Sequence, residues 1–195
     1  MHHILRPAGT PIREAERVSV SGSSGNCSEP ARQQDTSPAT IDAASADYRQ
    51  WDEPWRSLWL KTPHEPRIVW TYYELGAHMG GKPDPLCRDL LQTLMLYFRW
   101  PKGTIAFWPA TELRAENVVP RPDMFWQGVT MLGATQLALF GRDVCTLLLP
   151  DAPEGRTPIK FSTGLVHVCP SLARLRGMLP HERLLALQAL KDLPF

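Results

Sequence analysis

From Arg67 onward the chain alternates short β-branched or aromatic runs with longer one-sided apolar runs, and Pro or Gly separates them. This alternation restricts the fold more than any other feature. RIVWTYYEL reads as a strand and HMGGKPDP as a turn-rich loop. PLCRDLLQTLMLYFRW reads as a helix with Leu86, Leu90, Leu91, Leu94, Met95 and Phe98 on its apolar side. Asp84 is placed to cap that helix, with Pro85 at its first position. GTIAFWP is a second strand and DMFWQGVTMLGATQLALFG a second helix closed by Gly141. DVCTLLLP is the expected third strand, FSTGLVHVCP holds the fourth, and PHERLLALQALKDL is a last helix. The expected fold is α/β: a three-layer sandwich around a mostly parallel four-stranded sheet covered on both faces.

Residues 1–47 differ. SGSSGNCSEPARQQDTSPAT offers no large apolar side chain, so a disordered tail is expected there. Residues 48–62 form an aromatic segment, and 63–195 the folded domain. In the aromatic segment Tyr48, Trp51, Trp55 and Trp59 recur at helical spacing, with the helix starting near Glu53 because Pro54 suits a first turn. One reading packs these rings on the protein's own domain. The other makes them a partner-binding helix on a flexible leash.

A net charge of +1 argues against a strongly basic nucleic-acid binder and leaves weak, salt-sensitive contact at most. No apolar run approaches the roughly 20 residues that span a bilayer. The first residues lack a signal-peptide core, so the expected location is cytoplasmic. The four cysteines, Cys27, Cys87, Cys145 and Cys169, show no C-x-x-C spacing and read as idle thiols in a reducing compartment.

In parallel sheets, sites form at the carboxyl ends of strands. Three segments occupy such ends: residues 74–81, 109–112 and 169–172. Cys169 stands near a helix start with His167 two residues away, but no orienting third group accompanies the pair. GAHMGG lacks a dinucleotide or P-loop pattern. Glu74, His78, Asp84 and His167 show no metal-ligand spacing, and Glu74 with Glu112 is a possible carboxylate pair. No cofactor or metal is expected.

The ordered set ELG (74–76), FWP (107–109), MLGATQLALFG (131–141) and VCPSLARLRG (168–177) resembles the uracil-DNA glycosylase superfamily over roughly residues 67–193. That resemblance implies a site at Glu74, Gly76, Pro109, Cys169, Pro170, Ser171 and Leu172. Two departures imply that it is a relic. No acid follows the glycine of the first motif, and Cys169 stands where the family has the histidine that stabilises the leaving uracil. Leu172 matches the residue that wedges into DNA, or is an ordinary core residue.

The sequence also resembles the non-catalytic psi subunit of the bacterial DNA polymerase III clamp loader, in YRQWDEPWRSLWL, DPLCRDLLQTL and CPSLARLRGMLPHERLLALQAL. This implies an adaptor in DNA replication that binds clamp-loader subunits through Tyr48, Trp51, Trp55 and Trp59, with no catalytic residue. The alternative is a divergent uracil-DNA glycosylase in base-excision repair, with Glu74 or His78 positioning water and His167 replacing the lost histidine. A module holding a nucleotide or small ligand at the same strand ends is the third reading.

Overall fold

The computed structural model describes residues 47–195 except 154 and 156. The tail expected over residues 1–47 lies, apart from Asp47, outside the described residues.

A 3-10 turn at Tyr48–Gln50 leads into helix α1 (Trp55–Lys61). Then come β1 (Ile68–Tyr72), α2 (Leu75–Met79), α3 (Pro85–Phe98), β2 (Ile105–Phe107), β3 (Thr111–Arg114) and β4 (Asn117–Pro120). The chain continues through α4 (Pro122–Leu132), β5 (Gln136–Phe140), α5 (Arg142–Leu148), β6 (Ile159–Phe161) and β7 (Gly164–Cys169). It closes with α6 (Leu172–Gly177), α7 (Pro180–Ala186) and α8 (Gln188–Lys191).

The fold is α/β. Its main sheet has five strands in the order β2-β1-β5-β7-β6. β2, β1, β5 and β7 run parallel, and β6 pairs antiparallel with β7 at one edge. The sheet is therefore mixed and five-stranded, not the four-stranded sheet expected. β3 and β4 form a separate antiparallel hairpin.

One strand assignment exchanged places with a helix. The run 123–141 is not one helix: α4 stops at Gly133, which takes φ 66° and donates its N–H to the Thr130 carbonyl. The following QLALF is the central strand β5, paired on both sides and buried from Leu137 to Phe140. DVCTLLLP, expected as a strand, is mostly α5, with Val144, Cys145 and Leu148 inward. Part of the loop at 74–81 coils into α2, and the single last helix is two short ones meeting at Leu187.

Alternate residues of β1 enter different cores, because successive side chains of a strand point to opposite faces. Val69 joins Trp55, Trp59, Trp108, Phe125, Val129 and Leu139, whereas Ile68, Trp70 and Tyr72 join Leu94, Phe98, Phe140 and Leu175. Helices α1, α4 and α5 supply the first core; α3, α6 and α8 supply the second.

Asp84 caps α3 as the sequence implies: its Oδ1 accepts from the Leu86 and Cys87 amides at 2.9 and 3.3 Å. No helix among the described residues is long and apolar enough to cross a membrane.

Candidate strand-end site

The aromatic segment is packed on the domain. Trp55 is 1% exposed and Trp59 7%. Tyr48 and Trp51 rest against the same cluster, with the Trp51, Trp55 and Trp59 ring centroids 5.9, 5.6 and 6.1 Å from that of Trp108. Of the two readings of the stripe, the one that packs it on the protein's own domain is what the structure shows. Among the described residues one hydrogen bond ties it to the domain. The Trp55 indole N–H donates to Glu112 Oε2 at 2.7 Å, and Arg121 reaches the same oxygen at 2.9 Å. Arg114 ion-pairs with Oε1, and the Arg121 guanidinium stands 5.7 Å from the Trp55 ring. A carboxylate buried this deeply needs such company. Glu112 is thus spent on holding the arm, and it forms no carboxylate pair with the exposed Glu74.

At the end of β1, Glu74 precedes α2 without capping it by its side chain. Gly76 is obligatory. A Cβ there would lie 2.0 Å from the Thr111 carbonyl oxygen, because α2 packs directly on β3. The Thr111 hydroxyl donates to the Tyr73 carbonyl at 2.7 Å, tying the ends of β1 and β3 together, with Pro109 buried just before. The Tyr72 hydroxyl meets His78 Nδ1 at 2.9 Å. Burial, then the neighbouring Cys87, Glu74 and Asp84, push the Tyr72 phenol well above its ordinary range. Asp84 also receives Arg176 at 3.0 Å.

At the end of β7 the Cys169-Pro170-Ser171 corner is closed. Cys169 is buried, its thiol donates to the His167 carbonyl at 3.8 Å, and burial pushes it up to about 12. The His167 ring does not serve the thiol: its Nε2 meets Gln136 Oε1 at 2.8 Å, and burial lowers its proton affinity. No Cys-His dyad results. Ser171 Oγ accepts from the Arg174 amide at 3.2 Å and caps α6. Leu172 is a core residue packed in the second cluster, not a side chain presented to a ligand.

The candidate metal ligands therefore disperse: His78 to Tyr72, Asp84 to α3 and Arg176, His167 to Gln136. Among the described residues no group of three could hold a metal ion.

The end of β5 was missed because 136–140 reads as helix. Its signal was an apolar run bracketed by Gly133 and Gly141. Gly141 takes φ 117° and donates its N–H to the Cys169 carbonyl at 3.1 Å. A Cβ on it would stand 2.3 Å from Asp143 Oδ1 and 3.5 Å from Ser171 Cβ. Gly141, Asp143 and Ser171 therefore meet above β5 and β7.

The described strand ends thus hold hydrogen-bonding groups and, at Cys169, a protonated thiol; burial also raises Cys87, in the first turn of α3, to about 11. No protein-family model matches the chain, and no curated protein matches it in sequence.

Proposed function

We propose that this chain is a non-catalytic adaptor of the uracil-DNA glycosylase fold, a psi-like subunit that links the DNA polymerase III clamp loader to a partner in replication. The observation that carries the reading is the closed Cys169 corner. A buried thiol held near 12 stays neutral at physiological pH and is a weak donor to developing charge. The order of the corners supports the three-layer glycosylase-like fold: β1 runs into Glu74-Leu75-Gly76, β2 into Trp108-Pro109, α4 into Leu132-Gly133-Ala134, and β7 into Cys169-Pro170-Ser171. With the arm's tryptophans packed inward, the partner surface on the arm consists of its outward residues, Leu60 above all, which is 64% exposed. The Tyr72–His78 pair beside Glu74 is the feature that favours a divergent glycosylase instead.

Two assays on the full-length chain decide. The adaptor releases no uracil from a uracil-containing single strand and binds isolated clamp-loader subunits, with binding weakened by Leu60→Asp. Uracil release that Glu74→Gln or His167→Ala abolishes replaces this reading with the glycosylase. Absence of both uracil release and clamp-loader binding rejects both and leaves the small-ligand module.

A further inference from the structure

We propose that the aromatic arm, residues 47–62, exchanges between two copies of this chain to give a swapped dimer. Three observations converge on this.

The first is how the arm is held. Among the described residues, no backbone hydrogen bond joins residues 47–62 to the sheet. Among the described residues, the arm's hydrogen bond to the rest of the domain is the Trp55 indole on Glu112; beside it stand the Arg121 guanidinium over the Trp55 ring and apolar packing of the rings, chiefly around Trp108. A copy's arm seated in another copy's socket makes the same contacts, so exchange conserves the interface and needs no strand to break.

The second is that the arm is a closed unit. Its backbone bonds are internal: Trp51 to Tyr48, Leu58 to Pro54 and Thr62 to Trp59. Its own rings stack as well, Tyr48 on Trp59 at 6.0 Å between centroids. It leaves the socket without unfolding.

The third is the hinge, Thr62-Pro63-His64-Glu65-Pro66-Arg67. Two prolines remove backbone donors, and Pro63, His64 and Glu65 are exposed. Between the prolines Glu65 takes φ 57°, a left-handed conformation that disfavours a residue with a Cβ. The closed monomer holds that strain, whereas an extended hinge releases it. Short strained hinges are where swapping arises.

The test is light scattering after size separation on the full-length chain. The samples are incubated at about 0.5 mM just below the melting temperature, cooled and diluted. The proposal expects a dimer that returns slowly to monomer on dilution. Glu65→Gly relieves the strain of the closed hinge and lowers the dimer fraction about 10-fold, because each dimer contains two hinges. Deleting His64 and Glu65 removes about 7 Å of reach and yields mostly dimer. Wild-type chain that stays monomeric under these conditions overturns the proposal, whatever the variants do. A wild-type dimer that Glu65→Gly leaves unchanged also overturns it, because the contact is then on another surface. If the deletion variant does not fold, the Glu65→Gly comparison decides alone.

Discussion

Replacing Trp55 by Phe keeps an aromatic ring in the socket and removes one donor. That donor, 2.7 Å from Glu112 Oε2, is a charge-assisted hydrogen bond in a buried setting. Bonds of this kind contribute about 1.5–3 kcal/mol, and the smaller ring adds about 1 kcal/mol for the gap it leaves. Arg121 and Arg114 remain on the carboxylate, so the loss does not reach the cost of an unpaired buried charge. The expected destabilisation is about 3 kcal/mol, a fall of roughly 6–12 °C in Tm for a domain of this size. Urea unfolding followed by far-ultraviolet circular dichroism measures it. Glu112→Gln, alone and combined with Trp55→Phe, closes a double-mutant cycle whose coupling should be about 1–2 kcal/mol. A loss below about 0.5 kcal/mol for Trp55→Phe, typical of an exposed side chain, refutes the reasoning: the ring would then not sit on Glu112 in solution.

Four further outcomes follow from the same geometry. Gly76→Ala places a Cβ 2.0 Å from a backbone oxygen and should cost about 3 kcal/mol, whereas Gly177→Ala, with open space around it, should be neutral within about 0.5 kcal/mol in the same urea assay. The two-residue turn between β3 and β4 has Ala115 at φ 43° and Glu116 at φ 71°, so Ala115→Asn with Glu116→Gly should raise stability by about 1 kcal/mol. Burial lowers the His167 pKa from its ordinary 6.5, so the unfolded chain takes up the proton first as pH falls. Its stabilising contribution is complete above that pH and declines below it by at most about 1.4 kcal/mol per pH unit, until the folded pKa is passed; His167→Gln should flatten that stretch of the profile in urea midpoints from pH 5 to 8. Cys87, Cys145 and Cys169 are buried with raised pKa values, so at pH 8 a thiol reagent should label their peptides only after urea is added.

Much of this fold is written in local pattern. The strand at Ile68–Tyr72 shows in its β-branched and aromatic run, and α3 shows in its apolar face behind the Asp84-Pro85 cap. The corner where β7 meets α6 shows in Cys-Pro-Ser after alternating Val and His. These signals need only residues a few positions apart. Gln136–Phe140 is different. A short, wholly apolar segment looks the same whether it is a central strand or one side of a buried helix, and pairing with both β1 and β7 decides the matter across the whole domain. The adjoining run to Leu148 is helix α5, which follows that strand directly after Gly141. The hairpin at Thr111–Pro120 carries charged residues and two left-handed positions without glycine, so no local signal marked it. The site divides in the same way. Sequence alone placed Glu74, Pro109 and Cys169 at strand ends, because strand ends follow from strands. Only tertiary packing could turn Glu112 toward Trp55, draw the arm's tryptophans onto Trp108 and seal Cys169. Those outcomes depend on which distant groups share a core, where burial of rings and pairing of a charge are settled together.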